Sequence, residues 1–179
     1  MSNKVLIIHP DNECVEFPIY QTLYKDKPYT IVDDSCIADA ELRKLIEEHD
    51  VIVILGCFIH EGLLAKNRET GKDFLLIDDT HVELLKRKIV YSISGKSYFE
   101  ERGVPGLHTG TILTSGFEAT LYEVEGTEEE IVNSALRLMT IIGGTLNIPS
   151  TREKRAKIFA EYNGIDPISI FNKKGIIAL

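Results

Sequence analysis

Three side chains that can take part in chemistry follow one apolar run of the sequence. The run from Val51 to Leu55 ends at Gly56 and is followed by Cys57, His60 and Glu61. A run of β-branched residues that ends at a glycine is typical of a buried parallel strand, and the carboxyl ends of such strands carry the sites of α/β proteins. Cys57 is a candidate nucleophile, with His60 as the group that lowers the pKa of its thiol.

A second apolar run ends in small polar residues. Ile89 to Ile93 is followed by Ser94, whose hydroxyl is a second candidate nucleophile because the neighbouring backbone N–H can face an oxyanion. The alternative for Ser94 is an ordinary turn residue, and for Cys57 an inert thiol. We expect the two loops to lie side by side, so that Cys57 and Ser94 line one pocket. The candidate catalytic residues are Cys57, Ser94 and His60, and the candidate ligand-binding residues are Gly56, Phe58, Glu61, Gly95 and Lys96.

Two familiar motifs are incomplete in this sequence. Gly95-Lys96-Ser97 resembles the end of a phosphate-binding loop, but that motif needs a glycine five positions before Gly95, where Val90 stands. Cys57 and His60 have the spacing of half a zinc site, and no second pair is evident among Cys14, Cys36, His9 and His81. We therefore expect no metal and no cofactor.

Composition narrows the class of protein. The chain has 179 residues, of which 44% are hydrophobic and 27% charged, which predicts a single globular domain with a substantial core. A net charge of −8 argues against nucleic-acid or anionic-membrane partners. The one basic stretch (Arg152, Lys154, Arg155 and Lys157) is interpreted as a solvated helix face. The sequence has no leader-like or membrane-spanning run, and its three cysteines fit no disulfide framework, so we expect a cytoplasmic protein.

The order of elements predicts an α/β fold. Five strands are predicted at Val5 to His9, Tyr29 to Val32, Val51 to Leu55, Ile89 to Ile93 and His108 to Thr114. Helices are predicted from Asp39 as cap through His49, from Asp78 or Asp79 as cap through Lys88, from the Thr127 capping box to Gly143, and from Ser150 to about Tyr162. We predict a single-domain, doubly wound three-layer sandwich with a mainly parallel sheet, whose central strands are the first, third and fourth.

The carboxyl-terminal part of the sequence carries two further signals. Asn163 to Pro167 has the composition of a turn. The last apolar residues, Ile176, Ile177 and Leu179, dock either on the core or on a partner subunit. Homo-oligomerisation therefore stays open.

Short motifs over almost the whole chain resemble a largely uncharacterised bacterial family of small proteins with a caspase-like, cysteine-protease fold. The matching residues are Ile8-His9-Pro10, Phe17 with Tyr20, Leu55-Gly56, Gly62-Leu63, Ile77-Asp78, Thr109-Gly110, Glu118-Ala119, Glu161-Tyr162, Asp166-Pro167-Ile168 and Phe171-Asn172. The resemblance implies a caspase-like fold, with a histidine base and a cysteine nucleophile on neighbouring strand ends.

This sequence departs from that family at both catalytic positions. Cys57 and Phe58 stand where the family has His-Gly, and Ile93 and Ser94 stand where it has Trp-Cys. A serine needs a base to remove its proton, and the base position holds a thiol. The resemblance therefore implies the fold without its chemistry.

Three functions are compatible with these observations. The leading hypothesis is a catalytically degenerate caspase-like domain that binds a peptide or a small ligand as a regulatory module. The alternative is an active hydrolase or transferase that uses Cys57 or Ser94 with His60. A flavodoxin-like nucleotide or flavin binder is a weaker alternative, because the first strand ends in His9-Pro10 and not in a glycine- or hydroxyl-rich loop.

Overall fold

The structure is a computed structural model that describes residues 3–10, 17–33, 36–67, 69–148 and 151–179. Its strands are β1 (Val5–Ile8), β2 (Thr30–Val32), β3 (Val51–Leu55), β4 (Phe58–Ile59), β5 (Gly62–Lys66), β6 (Asp73–Ile77), β7 (Ile89–Ile93), β8 (Gly106–His108) and β9 (Ile177–Ala178). Its helices are α1 (Phe17–Gln21), α2 (Asp39–Glu48), α3 (Val82–Leu85), α4 (Lys96–Glu101), α5 (Gly116–Leu121), α6 (Glu128–Gly143), α7 (Thr151–Glu161) and α8 (Pro167–Lys174), with a 3₁₀ turn at Asp79–His81. Cys14 and Ser150 lie outside the described residues.

Six strands form the central sheet, in the spatial order β2, β1, β3, β7, β8, β9. The first five strands in this order pair in parallel, and β9 pairs antiparallel with β8. The strands predicted to be central, β1, β3 and β7, are interior to the sheet. The predicted mainly parallel α/β fold is confirmed.

Alternate side chains of the interior strands face two separate helical layers. On β3, Val51, Val53 and Leu55 pack in one cluster with residues of α1, α6 and α7. Ile52 and Ile54 pack in the other cluster with residues of α2, α3, α4 and the β4–β6 segment. Both faces of the sheet are covered, which is why these strands are apolar throughout instead of alternating with polar residues. The result is a three-layer sandwich.

A three-stranded antiparallel sheet follows β3, where the sequence analysis predicts a loop. β4, β5 and β6 pair in chain order and bury Leu63, Ala65 and Ile77 against the second helical layer. At Gly62, φ is +147° and an added Cβ would lie 1.9 Å from the carbonyl oxygen of Ile77, so only glycine fits there. The buried residues of these strands do not alternate strictly, and the period-two signal is correspondingly weak.

The predicted helix starts are partly correct. Thr127 and Glu130 form the predicted capping box of α6, and Asp78, not Asp79, caps the 3₁₀ turn that leads into α3. α3 ends at Leu85, before the predicted Lys88. Asp39 does not cap α2: Ala38 occupies the N-cap position, and the Asp39 carboxylate instead accepts a hydrogen bond of 2.7 Å from Arg43.

The predicted fifth strand needs correction, and a helix follows the predicted turn at Asn163 to Pro167. The fifth strand is Gly106–His108 and not His108 to Thr114: Thr109 still donates its backbone N–H to the Ser92 carbonyl of β7 at 2.9 Å, but Ile112, Leu113 and Thr114 are buried beyond the end of the strand. Leu113, for example, donates its backbone N–H to the Asn172 side-chain oxygen at 3.0 Å. The turn predicted at Asn163 to Pro167 also begins a helix, α8, with Asp166 as its cap. Apolar content thus indicates burial and not hydrogen-bond partners.

The apolar tail lies on the core of the same chain. Ile176 is buried, and Ile177–Ala178 forms β9 at the edge of the central sheet. Ile176 therefore docks on the core, whereas Leu179 is 46% exposed. Within the described part of the chain, no helix has both the length and the apolar character needed to cross a membrane.

One residue of the predicted solvated basic face is fully buried. Lys154 on α7 has no exposed surface, whereas Arg152, Arg155 and Lys157 are exposed as predicted. Its Nζ lies 4.4 Å from the centre of the Tyr91 ring and has no hydrogen-bond partner among the described residues. Burial lowers the pKa of Lys154 to about 8, since desolvation disfavours the charged ammonium.

Candidate functional site

A cavity of about 700 Å³ opens at one edge of the central sheet. β1, β3 and β7 are parallel neighbours, so their carboxyl ends lie together at this edge. We call this space the carboxyl-edge cavity. The lining comes from three places: the residues after those strands, one residue of α1 and the segment around α5. The lining residues are His9, Pro10, Tyr20, Gly56, Cys57, Phe58, Ser94, Thr111, Ser115, Phe117, Glu118, Leu121 and Tyr122.

The structure brings four of the predicted site residues together in this lining. Cys57 and Ser94 both contribute, as expected from the adjacency of β3 and β7, and Gly56 and Phe58 lie beside Cys57. Cys57 is exposed, and its carbonyl accepts a hydrogen bond of 2.9 Å from the backbone N–H of Leu64. The thiol therefore stands on a backbone that is fixed by the β4–β5 hairpin.

Ser94 has an unusual backbone conformation. Its φ is +64°, in the left-handed region that costs a non-glycine residue on the order of 1 kcal/mol. The backbone N–H of Ser94 donates to the Thr109 hydroxyl at 3.0 Å, which holds the turn between β7 and α4. Ser94 is half-buried at this strand–turn–helix connection, which resembles the nucleophile elbow of hydrolases but lacks its first glycine, since Ser92 stands two residues before Ser94.

Gly95 and Lys96 shape this turn and do not line the cavity. A Cβ at Gly95 would lie 3.0 Å from side-chain atoms of Phe58, Phe99 and Ser92, so the position has little room for a larger residue. Lys96 donates its backbone N–H to the Thr109 carbonyl at 2.9 Å. Both residues support the position of Ser94 and are not themselves in contact with the cavity.

His60 and Glu61 lie outside the carboxyl-edge cavity. They stand at the tip of the β4–β5 hairpin and line a separate, shallower depression with Asp79 and Arg102. The His60 side chain is 78% exposed, and its Nδ1 lies 3.7 Å from the Glu101 carboxylate. The hairpin, which the sequence analysis did not predict, carries these residues away from the end of β3. His60 is therefore not placed to activate Cys57 or Ser94.

A different histidine, His9, lines the cavity. It follows β1 directly, is only 2% exposed, and its Nδ1 lies 2.9 Å from the Tyr24 hydroxyl. Burial raises the pKa of Tyr24 to about 12, so that hydroxyl keeps its proton near neutral pH. The rule that selected Cys57, proximity to the carboxyl end of a parallel strand, also applies to His9 and could have identified it.

The opposite wall of the cavity comes from α5, which the sequence analysis did not connect with the site. Phe117, Leu121 and Tyr122 are 79%, 65% and 43% exposed although they are large and apolar. Glu118 lies between them, and its Oε2 accepts hydrogen bonds of 2.7 Å from both the backbone N–H and the hydroxyl of Thr114. No spacing in the sequence connects this segment with β1, β3 and β7, because only tertiary folding brings it to their ends.

His108 supports the sheet under the site. It is fully buried, its Nε2 donates to the Val104 carbonyl at 2.9 Å, and its Nδ1 therefore accepts from the Ser92 hydroxyl at 2.9 Å. Its ring stacks on Phe99. Burial lowers the pKa of His108 to about 4, so the ring is neutral near pH 7 and links β7 to the segment before β8.

The lining of the carboxyl-edge cavity combines aromatic and polar side chains. Four aromatic side chains provide apolar surface: Tyr20, Phe58, Phe117 and Tyr122. A few polar residues, among them His9, Ser94 and Glu118, carry groups that can form hydrogen bonds. Its volume is in the range of small-ligand sites, roughly 300 to 1,000 Å³. Within the residues that the structure describes, no group of three or more His, Cys, Asp and Glu side chains is arranged to hold a metal ion.

In comparisons with known proteins, no protein-family model matches this chain and no curated protein matches it. The resemblance to the caspase-like family therefore stays a prediction.

Proposed function

We propose that this chain is a catalytically degenerate caspase-like domain that captures a peptide or a small ligand in the carboxyl-edge cavity. In this proposal it acts as a binding or regulatory module in the bacterial cytoplasm and does not cleave what it binds. Cysteines that fit no disulfide framework support the cytoplasmic part of the proposal.

The observation that carries the proposal is the composition of the cavity at the two positions where the resembled family keeps its dyad. Both positions contribute to the lining, but they hold Cys57 and Ser94, and the candidate base His60 lies elsewhere. What remains at the strand ends is apolar surface with isolated polar groups, and the one histidine in the described lining, His9, has its Nδ1 2.9 Å from the Tyr24 hydroxyl. Such a surface favours binding over proton transfer, which needs a base within hydrogen-bond reach of the nucleophile.

A peptide-binding assay with a variant that obstructs the cavity tests the proposal. Cys57→Trp places a bulky side chain at an exposed position of the lining, so that the backbone is undisturbed and the space is reduced. A library of short fluorescent peptides is screened against the wild-type protein by fluorescence polarisation. We expect a subset of peptides to bind, and Cys57→Trp to weaken their binding by about tenfold or more.

Cys36→Trp is the matched control, because Cys36 is also an exposed cysteine and does not line the cavity. It should bind the same peptides as the wild type. The same library, followed by mass spectrometry after prolonged incubation, should contain no cleaved peptide. Absence of any binding, or equal losses in the two variants, contradicts the proposal.

A second candidate function is a hydrolase with Ser94 as the nucleophile. It is favoured by the left-handed backbone of Ser94 at a strand–turn–helix connection and by His9 in the same cavity. In this case His9, not His60, is the base. Peptide cleavage that is lost in both Ser94→Ala and His9→Gln would establish this function and overturn the binding-only proposal. Cleavage lost in Cys57→Ala instead would identify a thiol nucleophile.

A further inference from the structure

The carboxyl-edge cavity has a one-sided charge. Glu118 is the one carboxylate in its described lining, which contains neither a lysine nor an arginine. The segment that carries Glu118 has the same sign of charge: positions 103–136 contain six glutamates and no lysine or arginine, although Glu125 and Glu130 line a separate cavity. Carboxylates that are not neutralised locally create a negative potential, and a cleft with low-dielectric walls concentrates it.

Glu118 is held in position by Thr114. Thr114 donates two hydrogen bonds of 2.7 Å to Oε2, and these orient the carboxylate while leaving Oε1 as an acceptor. Among the described residues, no lysine, arginine or histidine nitrogen lies within 4.0 Å of this carboxylate. The charge is therefore available to a ligand at little further cost in side-chain entropy.

The neighbours of Glu118 suit the stem of a basic side chain. Phe117 and Leu121 are exposed beside it, and the ring of Tyr122 completes this wall. Lysine and arginine side chains lay their methylene stems along apolar surface, and a guanidinium stacks on aromatic rings. A free small amine has too little apolar surface to cover these three side chains, whereas a peptide can place an apolar residue beside its basic one.

We infer that the ligand of the carboxyl-edge cavity is a peptide segment that carries an arginine or lysine next to an apolar residue, with the basic group paired to Glu118. This inference rests on the proposed binding function and names the chemistry of the ligand. The volume of about 700 Å³ accommodates the side chains of such a short segment.

The test uses three acetylated, amidated fluorescent peptides that differ only at the central position: Leu-Arg-Leu, Leu-citrulline-Leu and Leu-Glu-Leu. Citrulline has nearly the shape of arginine without its charge, so this comparison isolates the ion pair. We expect the wild type to bind the arginine peptide about tenfold more tightly than the citrulline peptide, the factor that corresponds to one charge-assisted hydrogen bond. The glutamate peptide should bind more weakly still, and the preference for arginine should decrease at high salt.

Glu118→Gln removes the charge and keeps an oxygen that can accept from Thr114. Glu123→Gln, at an exposed position of the same acidic stretch, is the matched control because Glu123 does not line the cavity. We expect Glu118→Gln to abolish the preference for arginine and Glu123→Gln to retain it. Thermal denaturation of both variants checks their folding, and should Glu118→Gln not fold, the arginine and citrulline peptides still give a decision on the wild type.

The outcomes separate this inference from the proposed function. Equal binding of the arginine and citrulline peptides overturns the inference and leaves the binding function intact, whereas no binding of any peptide in the wider library overturns the binding function itself. Equal loss of preference in the two variants shows a diffuse field and overturns the role of Glu118. Argininamide alone binding as tightly as the peptide overturns the assignment of a peptide ligand.

Discussion

Replacing Lys154 by methionine should stabilise the protein near neutral pH. Methionine has a similar length and no charge, and the Lys154 ammonium is fully buried without a hydrogen-bond partner among the described residues. Burial lowers the pKa of Lys154 from 10.5 to about 8. Each tenfold change in a protonation equilibrium is worth about 1.4 kcal/mol, so burying the charged form costs about 3 kcal/mol relative to the neutral form.

Part of this cost is offset by the ring of Tyr91, whose centre lies 4.4 Å from Nζ. A cation–π contact contributes about 0.5 to 2 kcal/mol, which leaves an expected gain for Lys154→Met of about 1 to 3 kcal/mol in the free energy of unfolding at pH 7. The pH dependence follows from the sign of the shift. Below about pH 8 the lysine is protonated in both the native and the unfolded states, and the full cost is present.

Between about pH 8 and 10.5 the unfolded chain binds a proton that the native protein does not, so this group makes the wild type more stable as pH rises. The advantage of Lys154→Met should therefore fall below about 1 kcal/mol at pH 10. Urea denaturation of both proteins at pH 7 and pH 10 measures it. Lys157→Met is the control on the same helix, because Lys157 is exposed and forms a surface ion pair with Glu161. A Lys154→Met protein that is no more stable than the wild type at pH 7, or equally favoured at pH 10, refutes the reasoning.

Two further substitutions test the sheet. Val53→Asp should unfold the protein, since a charge without a partner at this fully buried position of β3 costs several kcal/mol. Ile31→Asp, on the exposed side of β2, is the control and should be tolerated. Circular dichroism compares the two variants, and a folded Val53→Asp variant contradicts the central position of β3. Gly106→Ala should strongly destabilise the pairing of β7 with β8, because the added Cβ would lie 1.8 Å from the Val90 carbonyl oxygen. Gly103→Ala is the control: φ there is also positive, but no atom of the described residues beyond its chain neighbours lies within 4 Å of the added Cβ, so the free energy of unfolding should fall by only about 1 kcal/mol. Thermal denaturation measures the difference, and equal losses would show that backbone strain and not the close approach determines the effect.

The sheet could be predicted from the sequence because burial on both faces leaves a direct signal. Val51 to Leu55 and Ile89 to Ile93 are apolar throughout, and both are interior strands with the predicted bounds. The adjacency of Cys57 and Ser94 followed from the same reasoning, because parallel neighbours end at the same edge. The Thr127 capping box was also predictable, since it depends on residues only three positions apart.

The rest of the site depended on contacts between distant parts of the chain. His60 was a reasonable partner for Cys57 by spacing, but the β4–β5 hairpin holds it outside the cavity. Lys154 was assigned to solvent with its basic neighbours, yet it points into the core under Tyr91.

Local sequence determined the interior strands β1, β3 and β7, where several helices begin and which strand ends meet at one edge of the sheet, since these depend on hydrophobic pattern and short-range hydrogen bonds, but it did not indicate β4, β5 and β6. Tertiary structure alone decided that Glu118 completes the cavity and that His60 does not line it, because both lie on segments whose packing no local pattern specifies.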